Sequence, residues 1–275
     1  MKKIMLLFCL LVLAFGSQAQ EKYKIVDQAG REVALGKIIA EVESKPLVFF
    51  GELHGQAEAH ALELDLLTAM HQRYPGRVKL GMEMFEADVQ PIVNEYFQGF
   101  IQEKSFETES RIWTNYIKDY KPLVSYAKSN NIPLLATNVP RRYANSVYHQ
   151  GLTVLDSLNT YAKQYIAPLP LQVDTTLSIY AEMLQMMPDH KNANLVYAQG
   201  VKDATMAHFI EENLQERTIF LHVNGAYHSK RKEGIPTFFK QYPKEKILVI
   251  QTLKSADVTD ELLKEADYSL IIESM

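Results

Sequence analysis

The sequence predicts an α/β domain with a largely parallel central sheet flanked by helices, and a helical cap or insertion subdomain at about 141–190. Three observations predict it. Short apolar runs at 46–51, 78–81, 132–137 and 218–223 alternate with amphipathic stretches of helical spacing, the pattern of strand–helix–strand crossovers. Four of these runs stop at residues capable of chemistry, as strands do on the functional rim of an open α/β sheet. Between 144 and 187 the period weakens, tyrosines accumulate and Ala167-Pro168-Leu169-Pro170 breaks the chain, which reads as an insertion over the sheet.

The chain opens on a segment outside the fold. Met1-Lys2-Lys3 is a basic start, Ile4 to Phe15 is apolar, and Gly16-Ser17-Gln18-Ala19 supplies small residues for cleavage. This is the composition of a signal peptide at 1–19, with an apolar run too short for a good membrane span. The expected location is exported, either periplasmic or outer-membrane-associated. The lone cysteine, Cys9, lies within that leader without a lipidation context, so the mature domain at 20–275 has no disulfide framework. The net charge of the whole chain is −4, and loss of Lys2 and Lys3 makes it −6. Such a mildly acidic chain has no electrostatic footprint for nucleic acid.

Ile25 to Val33 reads as a small hairpin around Gln28-Ala29-Gly30, and Leu35 to Glu43 has helical spacing. Pro46 to Gly51 is the first buried strand, running into Glu52-Leu53-His54. Gln56 to Tyr74 follows as a long helix with Ala59, Leu62, Leu66, Leu67 and Met70 on one stripe, stopped by Pro75-Gly76. His60 and His71 sit on that helix, which already has an apolar reason to exist. Val78 to Gly81 is a second strand, stopping before Met82-Glu83. Asp88 to Gly99 is helical, with Pro91 tolerated near its start. Ser105 to Tyr120 holds Trp113, Tyr116 and Tyr120, and Pro122 to Asn130 is another helix. Ile132 to Thr137 ends in Asn138, Arg141 and Arg142. Asn192 to Leu214 is a long helix with an expected inner stripe of Ala198, Val201, Ala204, Thr205, His208 and Phe209; Asp203 on it is either an ion-pair partner or a pocket residue. Thr218 to Val223 ends in Asn224-Gly225-Ala226-Tyr227-His228, Ile235 to Gln241 is a short helix, and Lys246 to Thr252 and Tyr268 to Ile272 are further strands. His149, His190 and His222 have no partner legible in the pattern, and Met183, Met186 and Met187 read as packing residues.

On a parallel sheet these strand ends share one rim, so Glu52, His54, Glu83, Arg141, Arg142 and His228 can converge as a catalytic set. Imidazoles and carboxylates suit borderline divalent metals, with His54, His228 and Glu52 as the expected ligands, and such a metal activates water. Without metal, a glutamate beside a histidine positions and deprotonates a water, and an arginine stabilises the oxyanion. The plainer alternatives are a helix-capping Glu52, a Glu83–arginine ion pair, or an anion pocket without turnover.

The pair Gly51-Glu52-Leu53-His54 and Gly225-Ala226-Tyr227-His228, with Gly81-Met82-Glu83-Met84-Phe85 between, resembles the motifs of the Tiki, TraB and erythromycin-esterase superfamily. The fuller set is similar to its ChaN-like haem-binding branch. That set adds Trp113, Tyr116 and Tyr120, Ala136 to Arg142, Ala198-Gln199, Asp203 to Ala207 and Gly234-Ile235-Pro236. The resemblance implies an exported haem-binding protein of haem or iron uptake, tyrosine ligation of the haem, a homodimer stacking two haems, and outer-membrane haem-uptake machinery as a partner. Tyrosinate is an established ligand of ferric haem, and Tyr143, Tyr148 and Tyr180, in or near the cap, are the candidates. The alternative it implies is a hydrolase, metal-assisted or not, using the Glu/His strand-end site.

Overall fold

The computed structural model describes residues 23–186 and 193–273. The expected leader at 1–19 with Cys9, and Met187 and His190 of the expected cap, lie outside the described residues. Seven strands form one sheet: β1 (Lys24–Asp27), β2 (Leu47–Glu52), β3 (Val78–Glu86), β4 (Leu134–Asn138), β5 (Ile219–Gly225), β6 (Ile247–Lys254) and β7 (Tyr268–Ile272). Their order is β1-β7-β6-β2-β5-β3-β4, with only the edge strand β1 antiparallel.

β2 shows why the sheet is covered on both faces. Its side chains alternate with period two. Val48 and Phe50 pack with Leu62, Leu66 and Leu67 of α2 (Ala57–Arg73) in one core. Leu47 and Phe49 pack into a second core on the opposite face, with Met206, Ala207 and Ile210 of α10 (Ala193–Asn213). Each such fully buried side chain contributes roughly 1.5–3 kcal/mol by removal from water. The first face also carries α1 (Leu35–Glu41), α3 (Gln90–Phe97), α4 (Glu103–Glu109), α5 (Tyr116–Asp119) and α6 (Lys121–Ser129).

The cap comprises α7 (Arg141–Gln150), a 3₁₀ segment at Leu152–Ser157, α8 (Thr160–Lys163) and α9 (Ser178–Met186). Its apolar side chains close on the N-terminal half of α10: Val139, Ala144, Val147 and Ile166 meet Ala198 and Val201, and Ile179, Tyr180 and Met183 meet Val196. So α10 holds the cap with one half and the sheet with the other. That double duty corrects its expected inner stripe. Met206, Ala207 and Ile210 are buried, whereas His208 and Phe209 are half-buried.

The second strand is longer than the sequence predicts. β3 continues through Glu86, because Met82, Met84 and Phe85 all find buried contacts. Gly81 is not its terminator. A Cβ there would stand 2.6 Å from Phe220 Cε1 and 2.7 Å from His222 Cδ2, so close packing by β5 requires the glycine. Glu83 therefore lies within a strand, beside a register shift against β4. The helix expected from Ile235 to Gln241 is only a 3₁₀ turn, Ile235–Thr237.

Candidate active site and ligand cavity

Parallel pairing sets the register of the two Gly-x-x-His stretches. Gly51 pairs with Asn224 and Glu52 with Gly225, so both motifs leave the sheet side by side. Gly225 also makes room for the first histidine: a Cβ on it would lie 3.1 Å from His54 Nε2 and 3.6 Å from Glu83 Oε2.

Two histidine–carboxylate centres result. In the first, buried Glu52 accepts a hydrogen bond from Tyr120 Oη (2.5 Å) and holds His54 Nδ1 in a close contact through the same oxygen, Oε1. The His54 side chain is 49% exposed, and its ring meets the Trp113 edge at 5.3 Å. The hydrogen bond it donates to Glu52 raises the His54 pKa against partial burial. Burial works to raise the Glu52 carboxyl, but its hydrogen bonds with His54 and Tyr120 leave it below the ordinary value.

In the second centre, His228 is 5% exposed and lies between two carboxylates. Its Nδ1 contacts Asp203 Oδ1 closely, and its Nε2 stands 3.2 Å from Glu83 Oε1. Both ring nitrogens face acceptors, which suits the imidazolium. Burial alone would depress its pKa, but Glu83 and Asp203 outweigh burial and lift it to about 10. Glu83 also accepts the Gly225 N–H (2.8 Å), and the His228 charge holds its carboxyl below the usual range despite burial. On the far side, Tyr180 Oη donates to Asp203 Oδ2 (2.8 Å).

Next to it, His222 finds the partners that the local pattern hides: Thr137 Oγ1 at 2.9 Å and Asn224 Oδ1 at 3.0 Å. Burial pushes its pKa down to about 4, so it is a neutral structural histidine. Asn138 serves the rim too, donating to the Glu83 carbonyl (3.0 Å).

A cavity of about 620 Å³ lies between this rim and the cap. Of the residues singled out from the sequence, Glu52, His54, Glu83, Arg141, Tyr148 and His228 line it. Arg142, Tyr143 and Tyr180 do not. Arg142 pairs with Asp88 (2.7 Å), and its guanidinium covers the Tyr143 ring at 4.4 Å. Tyr180 is committed to Asp203 in the core, and burial with the adjacent carboxylate raises its pKa. Trp113, Lys202 and Tyr227 line the cavity without having been singled out as site residues. Nor had His60 and Glu63, which lie beneath Glu52. A carboxylate inside the apolar stripe Leu62, Leu66, Leu67 is the available signal for Glu63; for Asp203 it is the i,i+4 spacing from Gln199, which also contacts His228. The expected metal set of His54, His228 and Glu52 is not how donor atoms cluster. Among the described residues the compact set is Glu52, His60 and Glu63, with atoms within 4.8 Å of one another.

The family described as haem-binding uptake, Tiki superfamily, ChaN matches residues 38–239. The chain belongs to this family. A solved structure of the family, cofacial haem binding to ChaN of Campylobacter jejuni, superposes with a TM-score of 0.71 at 18% identity, covering 92% of this chain and 97% of that one. The ChaN fold is therefore shared over almost the whole of both chains. An erythromycin esterase in its open conformation reaches a TM-score of 0.49 at 12% identity, over 80% of this chain and 72% of that one. Protein RETICULATA-RELATED 5, chloroplastic, of Arabidopsis thaliana is 23% identical over 247 residues; these span 80% of this chain but about a third, 33%, of the plant protein.

Proposed function

We propose that this ChaN-family chain binds haem in the cavity between rim and cap, and that it does so as an exported protein of haem or iron uptake. The observation that carries the proposal is the cavity's donor set. Trp113, Val139, Met183 and Leu195 offer apolar walls, and Tyr148 and Tyr227 bring phenols. Arg141 and Lys202 bring cations to the lining. A size of about 620 Å³ falls within the roughly 300–1,000 Å³ of small-molecule and cofactor sites. These residues fit haem, which needs an apolar slot, an axial donor and partners for its propionates. Tyr148 or Tyr227 would hold the iron, a phenolate being suited to ferric iron. Arg141 and Lys202 are the proposed propionate partners. Haem, when bound, supplies the iron chemistry; the protein's part is to hold its iron by a phenol and shield its faces.

Hemin titration of the purified protein tests this. The expected result is a saturable Soret shift of phenolate type, lost in either Tyr148→Phe or Tyr227→Phe. A spectrum unchanged in both variants would remove the tyrosine assignment, and no saturable shift in the wild type would remove the proposal.

A second reading, hydrolysis, is favoured by one observation: His54 is half-exposed at the cavity while Glu52 fixes its other nitrogen. That is the arrangement of an oriented general base. Because its pKa is raised, turnover should increase as pH rises through a window above the ordinary histidine value. An ester and peptide panel should then lose turnover in His54→Ala with hemin affinity intact; no turnover by the wild type across the panel would end this reading.

A further inference from the structure

Below the cavity, a buried cluster holds two side chains, His60 and Glu63, that neither reading uses. Glu52 from the end of β2 meets His60 and Glu63, which stand three residues apart on one face of α2. Glu52 is 1% exposed and Glu63 is fully buried. Tyr120 and His54 both take Glu52 Oε1, and this leaves Glu52 Oε2 with no hydrogen-bond partner. Glu63 Oε1 and His60 Nε2 are likewise without one. His60 Nδ1 faces the carboxylates, 3.2 Å from Glu63 Oε2 and 3.5 Å from Glu52 Oε2. Its other nitrogen points to Asp119 Oδ2 at 3.6 Å.

Buried carboxylate oxygens without partners are costly, on the order of 1–3 kcal/mol each and more when charged. Two such carboxylate oxygens, on Glu52 and Glu63 beside His60 Nδ1, are thus a feature that suits a cation. We infer that Glu52, His60 and Glu63 form a site for a first-row divalent cation beneath the cavity. Its donors are two carboxylate oxygens and His60 Nδ1. Mixed carboxylate and imidazole ligation suits Zn²⁺, Mn²⁺ or Fe²⁺. The donor atoms lie within 4.8 Å of one another, and a bound ion would draw them in to bond lengths of about 2.0–2.2 Å. Asp119 then takes the outer role that a carboxylate plays for a metal-bound histidine, accepting from His60 Nε2 and fixing the ring. Tyr120 does the same for Glu52, donating to the oxygen the metal does not use. The site shares Glu52 with the rim, so a bound cation would sit one carboxylate away from His54. The inference does not depend on haem binding and stands or falls separately.

The test is metal binding by untagged protein, stripped with chelator and desalted, measured by Zn²⁺ calorimetry, elemental analysis and the visible spectrum of the Co²⁺ form. The expected result is one equivalent of Zn²⁺ per chain. Binding should be abolished in the near-isosteric Glu63→Gln and in His60→Ala, weakened about 10- to 100-fold in Asp119→Asn, and retained in His54→Ala. Circular dichroism confirms that each variant is folded. Failure of the wild type to take up one equivalent overturns the inference. So does retention of binding in folded Glu63→Gln, or its loss in folded His54→Ala.

Discussion

The two histidines that the paired motifs deliver to the rim have opposite situations. His54 is half-exposed and touches one carboxylate; His228 is buried and clamped by two. One backbone pattern, a glycine near the end of a parallel strand and a histidine three residues on, therefore yields one half-exposed ring and one buried ring. The difference comes from what the helices bring. α10 places Asp203 against His228, while His54 meets the Trp113 ring and the backbone of Gly225. A buried cation fixed between Glu83 and Asp203 is suited to holding strand end, cap helix and α10 together. An exposed imidazole on a buried carboxylate is suited to meeting a ligand.

The largest expected effect comes from breaking the clamp. His228→Ala leaves two buried carboxylates uncompensated and should cost roughly 3–5 kcal/mol, measured by urea unfolding. The pH profile of the wild type sharpens the same point. Because the folded pKa of His228, about 10, lies above its ordinary 6.5, its stabilisation is fully present below 6.5 and is lost as pH rises through about 10. Unfolding free energy should fall over that window by an order of several kcal/mol, and this alkaline limb should be absent in His228→Gln. Glu83 acts at the other end: its lowered pKa gives stability that is present above the carboxylate range and lost as pH falls below it. The contrast with the first centre is then direct, since His54→Ala should change stability by less than about 1 kcal/mol while altering ligand behaviour. Smallest of all, Glu182→Gln on α9 removes partly exposed pairs with Lys230 and Arg231, and should cost no more than about 1 kcal/mol, diminishing with salt.

The sheet was legible because its strands are continuous apolar runs buried on both faces, and β7 matches its predicted span of Tyr268 to Ile272. Family membership was legible because its motifs sit at the strand ends that a parallel sheet must gather on one rim. Gly81 misled because a glycine that ends a strand and a glycine that admits a neighbouring ring look alike in sequence; only the Phe220 and His222 contacts tell them apart. The stripe on α10 was blurred because that helix buries two different faces along its length. Asp203, His60 and Glu63 were not assigned because their roles are set by partners far away in the chain, His228 for the first and Glu52 for the other two. Tyr143, Tyr148 and Tyr180 are all candidates by position in or near the cap, with Tyr143 preferred, and only packing turns Tyr148 alone of the three to the cavity.

The central claim is that the cavity between rim and cap is where haem binds, and filling it is the most direct test. Ala198, on α10, lines it. Hemin titration of Ala198→Trp, set beside the wild type and checked by far-UV circular dichroism, should give a folded protein that has lost the saturable Soret shift. A folded Ala198→Trp protein that takes up hemin with wild-type affinity and spectrum would contradict the account.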